Sequence, residues 1–240
     1  VFLSDAVPGD VVDIQTFKKR KAYYEGKTTK FHKFSKDRVS PLCSHFGICG
    51  GCKWQYMSYE KQLFFKQKEV VNNLSRIGKL NLPEISTILG AKNPYFYRNK
   101  MEFSFSDNRW LSQIEIQSEQ PIENRNALGF HIPGMWDKIL DINKCWLQGD
   151  PSNAIRNALK NFAISKNIPF FNARKQSGVL RTLMIRTSSK NEIMVLVQFY
   201  KATAKQLEII LNFLKISFPE ITALLYVINA KGNDTIYDQK

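Results

Sequence analysis

Residues 43–55 read CSHFGICGGCKWQ and hold three of the four cysteines in the chain. The fourth, Cys145, closes the stretch Asp141-Ile142-Asn143-Lys144-Cys145 far downstream. Three cysteines within ten residues are too closely spaced for an ordinary disulfide scaffold in a chain of 240 residues. A metal centre in a reducing compartment is the better interpretation. It would fasten this loop to the sheet predicted around Cys145.

The cysteine pattern predicts a [4Fe-4S] cluster, because four thiolates supply one ligand to each iron of a cubane cluster. The predicted ligands are Cys43, Cys49, Cys52 and Cys145. Gly50 and Gly51 let the backbone fold tightly and bring amide N–H groups towards the sulfurs. Two alternatives stay open: a four-cysteine zinc site, which uses the same ligands, and four unrelated buried thiols. His45 is interpreted as a bystander.

The charge of the chain indicates a polyanionic partner. Lysine and arginine number 35 against 21 acidic residues, which gives a net charge of +14 and a pI of about 9.6. No apolar stretch reaches the roughly 18–20 residues that a membrane span needs, so nucleic acid is favoured over a membrane. An apolar content of 43% predicts a real hydrophobic core, in one large domain or two small ones.

The pattern of apolar residues predicts an α+β fold in three parts. Residues 1–42 indicate short strands of a small β-barrel, and residues 43–94 a cysteine-rich loop with an amphipathic helix. That helix begins after Ser58, ends near Ile77 before Gly78, and is expected to bury its apolar stripe. In residues 95–240, stretches in which apolar and polar residues alternate with period two predict strands, and amphipathic stretches between them predict helices that cover the sheet. Strands are predicted near residues 101–105, 128–131, 138–142, 180–188, 192–200 and 224–228, and helices from Pro151 through Phe162 and over residues 203–216.

Basic and aromatic residues are mixed in the first part of the chain, a composition that suits RNA. Cations neutralise phosphates and exposed rings can stack on unpaired bases. The predicted RNA contacts are Lys18, Lys19, Arg20, Lys21, Lys30, Lys33, Arg38, Arg98 and Lys100. The alternatives are that the aromatic residues fill the barrel while the lysines are only solvated, and that Arg98 pairs with a structural carboxylate while Asn99 caps a turn.

Five short motifs span most of residues 1–145: AVPGD at 6–10, CSHFGICGGCKWQ at 43–55, YRNKM at 97–101, GFH at 129–131 and Asp141-Ile142-x2-Cys145. In these motifs and their order, the chain resembles the 23S rRNA (uracil-5-)-methyltransferases, a family with tRNA-modifying relatives.

This resemblance implies an RNA-binding TRAM domain with an OB-like barrel, then the [4Fe-4S] segment, a central α/β domain and a domain that binds S-adenosylmethionine. The chain holds no Gly-x-Gly-x-Gly loop after a strand, so the last domain is expected to be missing here. Members of this family carry at least one strand before the position of Val1, so the resemblance implies that the barrel is clipped at its N-terminus. The chain starts at Val1 without an initiator Met, so it is expected to begin within a larger protein.

The reaction of this family requires a free thiolate that adds to carbon 6 of uracil, after which carbon 5 takes the methyl group and a base removes its proton. Because the cluster claims all four cysteines, no catalytic residue and no S-adenosylmethionine-binding residue is predicted in this chain. The chain alone is expected to be inactive. The parent protein is expected to be a cytoplasmic, monomeric enzyme acting on RNA, with rRNA preferred over tRNA. A free-standing metal-stabilised RNA-binding module and a zinc-stapled structural domain are the other hypotheses.

Overall fold

The computed structural model describes residues 1–118, 120–122, 124–233 and 235–236. The chain divides into two compact units. The first contains residues 1–47 and 52–94, and the second contains residues 48–51 and 95–240. In the described part of the chain, no helix is long and apolar enough to cross a membrane.

An antiparallel pair of strands dominates the first unit. Strand β1 (Val11–Lys19) pairs with β2 (Tyr24–Lys33), with irregularities in the register that twist the ribbon. Phe2 adds a short bridge to Glu25. Within the described residues this region is a two-stranded sheet, so the predicted barrel is not confirmed and stays a prediction.

The turn before β1 is held by a buried carboxylate. Asp10 donates its backbone N–H to the Val7 carbonyl at 2.9 Å, and Gly9 takes a φ of +98° that favours glycine. The Asp10 carboxylate accepts from the amides of Val7 and Ser35, both at 2.7 Å, and from Arg38 Nη2 at 2.6 Å. Burial alone would raise the pKa of Asp10, but these hydrogen bonds outweigh it and lower the pKa.

Helix α1 (Tyr59–Asn72) continues as a single π-helical turn, Asn73–Ile77. The predicted position and length are confirmed, but the prediction that its apolar stripe forms core is wrong, because neither segment has a buried residue. An irregular segment of backbone lies along one side of this helix. The backbone N–H of Ala91 donates to the Tyr59 hydroxyl at 2.7 Å, and that of Ile88 donates to Gln67 Oε1 at 2.8 Å. Such thin cover leaves Phe64 53% exposed.

A six-stranded mixed sheet forms the centre of the second unit, and this confirms the predicted α+β class. Its strands are β3 (Lys100–Ser106), β4 (Ala127–Ile132), β5 (Met135–Asp141), β6 (Leu180–Thr187), β7 (Ile193–Phe199) and β8 (Ala223–Ile228). They lie in the order β5-β4-β3-β6-β7-β8. All neighbours are antiparallel except β7 and β8, which are parallel.

Helices α3 (Ser152–Ser165) and α4 (Ala204–Ser217) pack against each other through stacked rings of Phe162 and Phe213, whose centroids lie 3.9 Å apart. Helix α4 supplies the crossover that parallel strands require between β7 and β8. Its start is a capping box, in which Thr203 and Gln206 bond each other's backbone amides.

Helix α2 (Gln113–Gln117) was not predicted, because five residues are too few to show a helical period. A second capping box, formed by Ser112 and Glu115, stabilises it. The hydrogen bond from the Ser112 amide and the contact with Arg109 lower the pKa of Glu115 to about 2.

Candidate cysteine and RNA-binding sites

The four predicted ligands are divided between the two units. Cys43 and Cys52 belong to the first unit, and Cys49 and Cys145 belong to the second. The first three are partly exposed and Cys145 is buried. Within the described ranges, no group of three or more His, Cys, Asp or Glu side chains is placed so that it could hold a metal ion. The four-cysteine cluster is therefore not confirmed and stays a prediction, as does zinc.

The backbone of the cysteine loop fits thiolate chemistry in its details. Gly51 donates its N–H to Cys49 Sγ at 3.4 Å, and a Cβ at this position would lie 3.5 Å from that sulfur. A Cβ on Gly50 would lie 3.1 Å from the Pro133 ring, tighter than ordinary packing allows. Amide donors aimed at sulfur are typical of cysteines that carry negative charge as metal ligands. The local donor set thus fits an iron–sulfur ligand.

The backbone of Cys145 is clamped from both sides by one amide side chain of helix α3. Cys145 donates its N–H to Asn153 Oδ1 at 2.8 Å, and Asn153 Nδ2 donates to the Cys145 carbonyl at 3.1 Å. Asn153 is itself buried, so both bonds are shielded from water. This pairing fixes the backbone position from which the Cys145 sulfur projects.

A buried guanidinium completes the clamp. Arg156 is fully buried, donates to Asn153 Oδ1 at 3.0 Å and donates to the Asn143 carbonyl at 2.7 Å. Burial lowers the pKa of Arg156 to about 10, against the opposing charges of Cys145, Asp141 and Asp150. The residue therefore stays cationic at neutral pH.

Sequence reasoning missed Asn153 and Arg156. The signal was present, because these two polar residues, three apart, lie on the inward face of an amphipathic helix, beside Ile155 and Leu159. A polar residue on a core-facing stripe needs a partner, and here the partner is the backbone around Cys145.

The antiparallel ribbon presents cations and rings together. The side chains of Lys18, Lys21, Lys30 and Lys33 are exposed. Four of the five aromatic side chains singled out from the sequence are strongly exposed: Phe17 at 65%, Tyr23 at 41%, Tyr24 at 43% and Phe34 at 61%. The alternative that these rings fill a core is therefore disfavoured. Lys19 Nζ lies 6.0 Å from the Tyr24 ring centroid, and Arg20 pairs with Glu25 at 2.9 Å.

Arg38 differs from the other predicted RNA contacts. Its guanidinium pairs with the buried Asp10 carboxylate and donates to the Asp5 carbonyl at 2.9 Å. It also lies over the rings of Phe31 and Tyr56, at 5.0 and 4.7 Å from their centroids. These contacts occupy the charge within the first unit, so we leave Arg38 out of the proposed RNA surface.

The predicted contacts Arg98 and Lys100 lie at the start of β3. Lys100 pairs with Glu102 at 3.0 Å, and the backbone of Arg98 donates to the Leu147 carbonyl at 2.8 Å. Asn99 accepts from the Thr187 amide at 2.9 Å through its carbonyl. Nearby, Tyr97 is 58% exposed. RNA binding by Arg98 and Lys100 stays a prediction.

Comparison with known proteins gives similarity along almost the whole chain. The chain is 51% identical over 99% of its length to an uncharacterized RNA methyltransferase of Bacteroides thetaiotaomicron, and 44% identical over its full length to one of Porphyromonas gingivalis. Each match covers 53% of the relative. The chain therefore spans about half the length of the curated relatives it matches. No protein-family model matches the chain.

A solved structure shares the fold. The tRNA (uracil-54, C5)-methyltransferase of Pyrococcus abyssi, crystallised with S-adenosyl-L-homocysteine, matches with a TM-score of 0.66 and 22% identity. The match covers 98% of this chain and 48% of that one.

Proposed function

We propose that this chain forms the RNA-binding and iron–sulfur part of an S-adenosylmethionine-dependent RNA (uracil-5-)-methyltransferase. The observation that carries the proposal is the 51% identity, over 99% of the chain, to a protein named an RNA methyltransferase. The name of the similar solved structure, a tRNA (uracil-54, C5)-methyltransferase, supports uridine carbon 5 as the position modified. We prefer 23S rRNA as the substrate and keep tRNA as the alternative. A cytoplasmic monomer fits this proposal.

The exposed cations and rings of the ribbon β1–β2 support a role in RNA binding. Each lysine bound to a phosphate releases counterions, so affinity falls with salt, with a slope of roughly 0.7 per contact for single strands. We expect the chain to bind single-stranded RNA with a strong salt dependence. Removing Lys18, Lys21, Lys30 and Lys33 together should lower that slope by about 3.

A matched variant distinguishes the effect of the ribbon lysines on RNA binding from the effect of the net charge of the chain. Lys166, Lys201, Lys205 and Lys215 are also exposed, and replacing them with alanine removes the same charge. Filter binding across a salt series would compare the two fourfold variants. Equal losses in both would mean that the net charge of +14, and not the ribbon, carries the binding, and would contradict this part of the proposal.

The second component is a [4Fe-4S] cluster on Cys43, Cys49, Cys52 and Cys145. When bound, the cluster would supply four iron–thiolate bonds that order the cysteine loop. Residues of this chain hold the ligands in place: Gly51 donates its amide N–H to Cys49 Sγ, Asn153 fixes the Cys145 backbone, and Arg156 bonds Asn153 and the Asn143 carbonyl. We propose a structural role for the cluster, since methylation of uracil needs no electron transfer.

Metal and sulfide analysis of anaerobically purified protein tests the cluster. We expect iron and sulfide in equal amounts and a brown chromophore, and loss of both when any one of the four cysteines is replaced by serine. Zinc without sulfide would support the alternative four-cysteine zinc site. Protein with neither metal, and with thiols that react freely, would rule out both.

Methyl transfer is proposed for the parent enzyme and not for this chain alone. The four cysteines are its whole supply of thiols, and the cluster occupies them. We expect no transfer of labelled methyl groups from S-adenosylmethionine to RNA by the 240-residue chain. Turnover by this chain would contradict the proposal. A free-standing RNA-binding module, the alternative, predicts binding of the same strength without any catalytic parent.

A further inference from the structure

The sheet of the second unit leaves a cavity on the face that carries Ser104, His131 and Thr182. Ser104 is paired with Thr182 across β3 and β6, so both side chains project from the same face. The cavity has a volume of about 460 Å³ and is also lined by Trp136 and Phe171. This volume lies within the range of small-ligand sites, which is about 300–1,000 Å³.

The floor of the cavity is polar. Ser104 Oγ and His131 Nε2 lie 3.2 Å apart, close enough for a hydrogen bond, and Thr182 adds a second hydroxyl. Hydroxyl and imidazole groups both donate and accept, so this floor can match the mixed donors and acceptors on the edge of a nucleobase. Ser104 and Thr182 are only partly exposed and His131 is open to solvent, which leaves the floor accessible from outside.

The rim of the cavity is aromatic and cationic. Trp136 is 63% exposed although it is the largest apolar side chain there. The guanidinium of Arg174 lies 6.0 Å from the Trp136 ring centroid and is oriented by an ion pair with Asp137. Phe105 and Phe171 also line the cavity but are buried, so Trp136 is the ring exposed for stacking among the residues that line it.

We propose that this cavity binds one unpaired nucleobase of the substrate RNA, stacked on Trp136 with its polar edge on Ser104, His131 and Thr182. The inference rests on the proposed function, because it assumes an RNA ligand. It assigns to the second unit a base-reading site separate from the phosphate contacts of the ribbon.

The test uses the full chain and a short single-stranded RNA of mixed sequence, together with a set of the same RNA carrying one abasic position each. Trp136→Ala should weaken binding about 5- to 150-fold, the loss measured for one stacked base, while Trp136→Phe should keep most of the affinity. His131→Ala should weaken binding less and change which base is preferred. Met135→Ala is the control, because Met135 is a similarly exposed neighbour that does not line the cavity.

Coupling between protein and RNA identifies the base. One abasic position should weaken binding to the unaltered chain, and the same position should have a smaller effect on Trp136→Ala, in which only the polar contacts of the base remain to be lost. If the chain binds RNA in a salt-dependent manner but Trp136→Ala behaves like Met135→Ala and no abasic position is coupled to it, the inference is wrong and the proposed function stands. If the unaltered chain binds no RNA at any salt concentration, the proposed function and the inference both fail.

Discussion

Replacing Asn153 with alanine should destabilise the second unit strongly, because this side chain satisfies the Cys145 backbone on both sides. The change removes the bonds of 2.8 Å and 3.1 Å to Cys145 and the 3.0 Å bond from Arg156. It leaves a buried amide, a carbonyl and a guanidinium N–H without that partner. At about 1 kcal/mol for each neutral bond and about 2 kcal/mol for the charged one, we expect a loss of about 4 kcal/mol.

Native-state hydrogen exchange with mass spectrometry is the suitable assay. It reports the free energy of opening for peptides of β4, β5 and α3 separately, which matters because a chain of two units need not unfold in one step. Asn153→Asp should lose less, since a carboxylate still accepts from Cys145 and pairs with Arg156 but cannot donate to the carbonyl.

The matched control is Asn157→Ala, one helical turn further along α3. Asn157 is half-buried, donates to the Asn143 carbonyl at 2.9 Å and accepts from Arg156 Nη2 at 3.2 Å, so its loss should cost about 2 kcal/mol, roughly half the effect of Asn153→Ala. If both alanine variants change the opening free energy by the same small amount, the idea that buried hydrogen bonds hold the Cys145 loop is refuted. The same proteins can be assayed for iron, and Asn153→Ala should retain less of it.

Three further outcomes follow from close contacts and from titrating groups. Gly129→Ala should prevent soluble expression, because its Cβ would lie in sub-van der Waals contact with the Leu140 carbonyl, whereas Gly149→Ala, with open space around it, should be tolerated in the same expression test. Asp10→Asn weakens the charged hydrogen bond with Arg38 and should destabilise the first unit by about 2–3 kcal/mol at neutral pH, as measured by hydrogen exchange. Folding lowers the pKa of Asp10, so its contribution to the free energy of unfolding is present above its ordinary pKa of 3.8 and is lost as the pH falls below that value. The stability of the variant should therefore depend less on pH in the acidic range. Glu115, with a pKa of about 2 against an ordinary 4.5, should likewise support helix α2 until the pH falls from about 4.5 towards 2, and Glu115→Gln should abolish that pH dependence in NMR spectra of the helix.

The elements with a clear period were predictable from the sequence. Alternation of Met101, Phe103 and Phe105 defines β3, since side chains on a strand point to opposite faces in turn. The short gap between the strands predicted at 180–188 and 192–200 also indicated a turn, and Asn191 takes a φ of +62° between β6 and β7. Helix α1 shows the limit of this reasoning: its stripe correctly predicted a helix, but a stripe cannot tell how much backbone is available to cover it.

The site residues also divide into those that the sequence could predict and those whose role depends on the fold. Residue type and spacing identified the cysteines and the basic ribbon, because thiolates and clustered cations carry their chemistry wherever they lie. Arg38 was placed with the RNA contacts because its charge alone was visible. Its partner Asp10 lies 28 residues away, and only the fold shows that the two form a nearly buried ion pair.

The sequence by itself determined the α+β class and the positions of the strongly periodic strands and helices, and it marked the candidate ligands for metal and RNA, since all of these depend on local backbone period and side-chain chemistry. The tertiary structure decided which polar groups are consumed inside the protein and which remain available to a ligand. Asn153 and Arg156 hold the Cys145 loop, while Trp136 stays exposed beside a polar floor. The physical reason is that burial and hydrogen-bond pairing are set by residues distant in the chain, and no local pattern records which of them meet.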